Sequence, residues 1–314
     1  MIRTKYKLSL LALIVTFLLT ACLGPNQKPQ LQKKKYNSEP NISLFISETG
    51  ETKKIKLEEY LKGVVAAEMD PTWPKEALKA QAILARTFTL KKIEQGGVKV
   101  RGTDASTDVE EFQAYDPSRI NDQVTQAVNE TRGIVVTYQG DFINGWFFAD
   151  GGGLTSASAA EGLAYFKEET PYIQSVKDPG SAIAPQENKA WTASFPLSQV
   201  QRAVKQATGQ DVGNISSATI VEKGPSGRVT KIKLGEVVVS GPALRLALGS
   251  EQMRSTLLTG LSIQNGQLVV TGKGYGHGVG MSQWGARALA EQGKTAEEII
   301  QYFFKGVKIE KIWK

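Results

Sequence analysis

Between residues 272 and 280 the chain reads Gly-Lys-Gly-Tyr-Gly-His-Gly-Val-Gly, so glycine holds every second position. If that run is an extended strand, alternate residues share a face and one face carries no side chains at all. Such a strip must lie flush against something, either a ligand or another segment of the chain. The opposite face presents Lys273, Tyr275, His277 and Val279. No frame of the run satisfies the G-x-G-x-x-G spacing of a dinucleotide cradle, which excludes that use. The next residues, Gly280-Met281-Ser282-Gln283, begin like a nucleophile elbow, but Trp284 stands where the closing glycine belongs. Ser282 is better read as the cap of a helix running from Gln283 towards Gln292 and closed by Gly293.

His277 is the only histidine and Cys22 the only cysteine of 314 residues. An internal disulfide and any zinc site built on several thiolates or paired histidines are therefore excluded. His277 is either a hydrogen-bonding ligand contact or a satisfied structural group. The net charge of +7 is concentrated at the N-terminus. Arg3, Lys5 and Lys7 supply three charges, and Lys28, Lys33, Lys34 and Lys35 against Glu39 supply three more, leaving a nearly neutral body. A nucleic-acid reader would carry its cations on the folded surface, so nucleic acid is not an expected partner.

Those N-terminal charges flank an apolar run from Leu8 to Leu19 that ends in Leu19-Thr20-Ala21-Cys22. The run is short for a bilayer span and reads as a signal segment over residues 1–21. The four residues ending at Cys22 resemble a bacterial lipobox, in which the cysteine is lipidated; the alternative is a plain secretory signal with an incidental cysteine. Residues 22–42 read as a flexible basic linker whose lysines either meet anionic headgroups or are merely solvated. The body is thus expected outside the cytoplasmic membrane, lipid-anchored to its outer face.

In Leu57–Met69 the apolar residues have helical spacing. At about 100° per residue, Glu68 falls about 20° from Leu57, inside the stripe of Leu57, Leu61, Val64 and Val65. Glu58, Glu59 and Lys62 fall on the side expected to meet water. A carboxylate among apolar neighbours loses hydration, so its pKa rises and it is equipped to act as a general acid. The competing reading is that the helix frays before Glu68, because Asp70-Pro71 follows at once. Pro71-Thr72-Trp73-Pro74 reads as a rigid corner, and a second helix is expected from Lys75 to Glu94, ahead of Gly96-Gly97. On it Lys79 and Arg86 lie about two turns apart, either as a cationic clamp for a sugar or as solvated surface.

Residues 133–138 and 142–148 read as two strands joined by a turn at Gln139-Gly140-Asp141. In Asp150-Gly151-Gly152-Gly153-Leu154-Thr155 the glycines either present backbone amides to a ligand or form a flexible turn. Residues 191–268 read as an inserted lobe of short strands and a small helix near Leu197–Thr208, without a catalytic constellation. Thr295 and Glu298 form a capping box, with Ile299, Ile300, Phe303 and Phe304 on the buried side of a last helix.

The segments Glu59–Met69, Ala77–Ala82 and Ala85–Thr87, together with Gly274–Ala286, resemble the N- and C-terminal signatures of the SpoIID/LytB family of sporulation proteins and amidase enhancers. The resemblance extends over about residues 43–313. It implies an α+β fold over residues 43–314, helices packed around a mixed or antiparallel sheet, with the smaller inserted lobe at 191–268. It also implies a peptidoglycan lytic transglycosylase with Glu68 as the catalytic carboxylate, matched to the family's glutamate, and Lys79 and Arg86 at positions linked to activity. The further substrate contacts expected are Tyr275, His277, Ser282 and Gln283 of the C-terminal signature, and Gly152, Gly153 and Thr155 of the glycine loop. Some relatives bind zinc near that loop through histidine and cysteine; both are missing here, so neither metal nor cofactor is expected. Peptidoglycan strands, either intact or stripped of their stem peptides, the membrane and a cell-wall amidase are the implied partners. The rival role is a non-catalytic glycan-binding enhancer of such an amidase.

Overall fold

The computed structural model describes residues 36–314. The expected signal segment, Cys22 and most of the basic linker lie outside the described residues. The packed body begins earlier than the boundary expected at residue 43. The Tyr36 ring lies 6.1 Å from that of Trp313, and the first strand, Asn41–Phe45, already buries Ile42 and Leu44.

The architecture is α+β, but the strands form several small sheets rather than one. Asn41–Phe45 pairs antiparallel with Thr52–Lys56 and parallel with Ala105–Ser106. Ile134–Tyr138 lies between Lys308–Lys311 and the short Asp141–Phe142 strand, antiparallel to both. The strand expected over 142–148 is broken in the middle. Gly145 packs so tightly on the second helix that a Cβ there would sit 2.8 Å from the Leu84 carbonyl oxygen, and the chain turns. Phe147–Phe148 then resumes as a parallel partner of Met281–Ser282, bringing the middle of the chain beside its C-terminal signature.

Two hydrophobic cores divide the body. One joins residues 42–173 to residues 279–313, with the helices Leu57–Glu68 and Lys75–Glu94 at its centre. The other draws its buried members from Trp191 to Val270. There Gln267–Gly272 pairs between Leu258–Gln264 and Trp191–Pro196, and Val229–Leu234 between Ala218–Lys223 and Val237–Ser240. The chain leaves the first core, builds the second, and returns through the glycine run.

The first helix forms because Leu57, Tyr60, Leu61, Val64 and Val65 fall on one buried face. The second helix is buried on nearly all sides, Ala77, Ala80, Ala82 and Ala85 letting neighbouring backbones approach closely. Pro74 stands immediately before it with φ −51°, and basic Lys91 and Lys92 close its last turn. The last helix, Ala296–Phe303, carries the expected Thr295–Glu298 capping box.

Two expectations fail on these helices for one reason. Glu58 does not face water: it is 3% exposed and forms a buried ion pair with Arg86, itself 0% exposed. Arg86 Nη2 donates to Glu58 Oε2 at 2.6 Å and Arg86 Nε to Oε1 at 3.1 Å. Glu58 Oε1 also accepts from Gly133 N at 3.0 Å and Trp313 Nε1 at 3.1 Å. The C-terminal segment thus closes over what would be the solvent side of the first helix. Arg86 is a structural cation with no access to a sugar.

Candidate active site

The first helix does not fray. The Met69 amide still donates to Val65 O at 3.1 Å, and only then does the backbone become extended, leaving Glu68 as the last helical residue. Its partly buried carboxylate is held from two directions. Oε1 accepts from the Ala114 amide at 2.9 Å, and Oε2 faces Gln283 Nε2 at 3.4 Å. Burial raises the pKa to about 7, outweighing the two hydrogen bonds, which favour the charged form. A carboxyl titrating there can give a proton and take one back near neutral pH.

The neighbouring acid behaves differently. Asp70 is exposed and accepts from Thr72 N and Oγ1 at 2.9 and 2.8 Å, bonds that hold its pKa below the usual carboxylate range. In the same corner the Trp73 ring lies 4.7 Å from that of Trp284, the residue after Gln283, and the Arg287 guanidinium covers both.

The glycine run approaches the chain closely, but not as an extended strand. The backbone has φ between +79° and +108° at Gly274, Gly276, Gly278 and Gly280, a region where L side chains are strained. A Cβ on Gly274 would lie 2.8 Å from Asp150 O, and one on Gly276 2.7 Å from Phe148 Cβ. The run is therefore covered by this protein's own residues: 148–152 over Gly274 and Gly276, Trp191 at Gly272, Arg228 at Gly278, and Trp146 with Phe304 at Gly280. Tyr275 exchanges both backbone hydrogen bonds with Asp150, at 2.9 and 2.8 Å, and its ring lies under the Arg254 guanidinium.

His277 is half-buried and held from within the chain. Its Nδ1 accepts from Val279 N at 3.0 Å, and burial, with help from the cations Arg245 and Arg228, pulls its pKa down to about 3. The neutral ring packs against Phe148.

Ser282 caps the Gln283–Glu291 helix, accepting from Gly285 N at 3.0 Å, and is fully buried, so the expected sugar contact there is overturned. Gln283, the first residue of that helix, reaches Glu68.

The glycine loop also turns inward. The Gly152 amide donates to Asp150 Oδ1 at 2.9 Å and the Gly153 amide to Ser181 Oγ at 2.7 Å, so neither points at a ligand. Thr155 is 1% exposed and its Oγ1 accepts from Val176 N at 2.9 Å, again a structural role. Beneath the loop, buried Asp178 accepts from the Gly151 and Gly180 amides. Lys79 is held at the surface by Glu76 at 2.9 Å and Glu130 at 3.5 Å, so it forms no clamp with the inward-turned Arg86.

Of the expected contacts, Glu68 and Gln283 are brought together. Sequence reasoning missed Ala114, which acts through a backbone amide and so leaves no residue-type signal. Among the described residues no three His, Cys, Asp or Glu side chains converge as a metal ion would need.

Glu68 and Gln283, the carboxyl and the amide that meets it, come from opposite ends of the chain, and comparison with known proteins matches most of that length. The family model described as stage II sporulation protein, SpoIID, matches residues 46–138, and a domain family of unknown function matches residues 180–280. Stage II sporulation protein D of Bacillus amyloliquefaciens is 32% identical over 282 residues, 86% of this chain and 78% of that protein. The protein of the same name from Bacillus subtilis is 31% identical, with the same coverage. An amidase enhancer of B. subtilis is 28% identical over 79% of this chain but only 40% of its own length. The chain belongs to the SpoIID family.

Proposed function

We propose that this protein is a peptidoglycan lytic transglycosylase in which Glu68 is the sole acid–base. The observation that supports it is a partly buried carboxyl with a pKa near 7, held by Ala114 and Gln283, beside an Asp70 kept ionised at the surface. Protonated Glu68 gives its proton to the oxygen linking N-acetylmuramic acid to N-acetylglucosamine, and the C1–O bond breaks. The resulting carboxylate takes the proton of the muramyl 6-hydroxyl, whose oxygen closes on C1. The product is a 1,6-anhydro end, no water is consumed, and Glu68 returns to its acid form. A hydrolase would need a further group to position water. The Gln283 amide would steady Glu68 in its charged state.

The second reading, a glycan-binding enhancer of an N-acetylmuramoyl-L-alanine amidase, is favoured by the name of the B. subtilis relative. Fragment analysis separates the two: anhydro-ended products made by wild type and not by Glu68→Gln support the enzyme. Glycan binding without cleavage supports the enhancer.

We further propose, from the sequence of residues 1–42, that the body works outside the cytoplasmic membrane, tethered by lipid on Cys22, in sporulation or wall remodelling. Cys22→Ser should then release the protein from the membrane fraction.

A further inference from the structure

We infer that Gly63 and Tyr115 are positioning residues for Glu68: the bare helix surface at Gly63 seats the Tyr115 ring, and that seat holds the Ala114 amide on the carboxylate. The loop carrying Ala114 is pinned on both sides of it. Gln113 Nε2 donates to Thr89 Oγ1 on the second helix at 2.9 Å. Tyr115 stacks on Tyr60 of the first helix, with centroids 5.5 Å apart and planes inclined by 12°. The Asp116 amide donates to Gly63 O at 3.1 Å. Between these attachments the Ala114 amide meets Glu68 Oε1.

Gly63 is the point at which this arrangement is vulnerable. It sits in the interior of the first helix, where glycine is unfavourable relative to alanine. A Cβ there would overlap the Tyr115 ring, lying 2.7 Å from Cδ2 and closer still to Cε2. The ring would have to lift by about 1 Å to restore an ordinary carbon–carbon contact, and Ala114 is its chain neighbour. Helix propensity predicts that Gly63→Ala stabilises, so harm from this change has its source in the displaced ring.

The other titratable groups around the carboxylate leave this role to the loop. Tyr60 lies behind Glu68 on the same helix, Tyr115 follows Ala114 under the Lys53 ammonium, and Asp70 with Arg119 and Arg287 lies at the corner beyond. From the Gln283–Glu291 helix only the uncharged Gln283 reaches it.

The consequence for catalysis rests on the role proposed above for Glu68; the geometry itself does not. The test is therefore read first without activity, by alanine-selective ¹⁵N NMR of the full chain. In wild type the Ala114 amide shift should follow the Glu68 titration near pH 7, and Glu68→Gln should abolish that titration. Gly63→Ala and Tyr115→Ala should uncouple the amide from Glu68, while Tyr115→Phe, which keeps the ring, should preserve the coupling. In glycan cleavage the first two should lower kcat by about 10- to 100-fold with KM unchanged, Tyr115→Phe matching wild type. An Ala114 amide that still follows Glu68 in Gly63→Ala would overturn the inference. A wild type that cleaves nothing would overturn the transglycosylase and leave the amide titration to decide the seat.

Discussion

Gln283 and Glu68, 215 positions apart, meet at 3.4 Å, amide nitrogen to carboxylate oxygen. The contact joins the last residue of one helix to the first residue of another, and each helix end is fixed by its own local device. Asp70-Pro71 stops the first helix just beyond Glu68, and Ser282 caps the second just before Gln283. Replacing Gln283 with leucine removes one bond that favours the charged carboxylate, so the Glu68 pKa should rise above about 7. Cleavage should fall roughly tenfold, the general-acid step suffering most, because giving up the proton leaves a less stabilised carboxylate. A pH–rate profile of Gln283→Leu checks both.

Glu68 also links pH to stability. Its folded pKa, about 7, lies above the ordinary carboxylate value of 4.5, so between these limits the folded state binds more protons than the unfolded. Its contribution is fully present below about pH 4.5 and is lost as pH rises through about 7. Glu68→Gln abolishes the dependence. Relative to wild type it should gain about 1–3 kcal/mol between pH 4.5 and pH 8, the partial solvent access of the group keeping the value within this range. Urea unfolding of both proteins at the two pH values measures it.

His277 should stay silent over the same interval. With a pKa near 3 its ring remains neutral from pH 5 to 8, so its carbon-bound proton resonances should not move. Any activity change in that window then does not come from His277. A His277 titration near pH 6.5 would show that the ring is not held as described.

The Arg86–Glu58 pair predicts a stability defect. Arg86→Ala leaves Glu58 buried and uncompensated and should cost about 3–5 kcal/mol. Replacing the two together by methionine and leucine should recover most of the loss, because the charges disappear as a pair. Glycan affinity of the folded Arg86→Ala protein should match wild type. Denaturant unfolding of the single and double variants, with binding measured alongside, separates this from a sugar-binding role.

Two glycines provide a matched control. Gly280 has φ +82°, and a Cβ there would overlap Trp146 O and lie 2.9 Å from Phe304 Cζ. Gly153 has φ +109° with nothing within 4 Å. Gly153→Ala should cost about 1 kcal/mol of backbone strain, and Gly280→Ala at least twice that, because steric overlap is added to strain. Thermal unfolding of the two variants measures the difference.

Much of the site was legible in the sequence where a side chain's own spacing decides its surroundings. Glu68 lies in the apolar stripe, the helix end at Asp70-Pro71 follows from proline, and Ser282 has the residue type and position of a cap. The same angular reasoning misplaced Glu58, because its neighbours Gly133, Trp313 and Arg86 come from segments remote in the chain. The glycine run announced a close approach but not its form. Four positive φ values replace the strand, and the segment packs against residues 148–152 at Gly274 and Gly276, Arg228 at Gly278 and Trp146 at Gly280. Gly152 and Gly153 were flexible enough to face a ligand, yet Asp150 and Ser181 take their amides, and only the folded geometry reveals that.

The most direct test of the central claim is mass spectrometry of glycan fragments released by the purified protein from intact and peptide-stripped peptidoglycan. Wild type and Glu68→Gln would be compared after their folds are shown to match. Wild type should release 1,6-anhydro-ended fragments from at least one substrate, and Glu68→Gln should release them about 10²- to 10⁴-fold more slowly. Reducing-end fragments, equal release by Glu68→Gln, or glycan binding with no release at all would contradict a single-carboxylate transglycosylase.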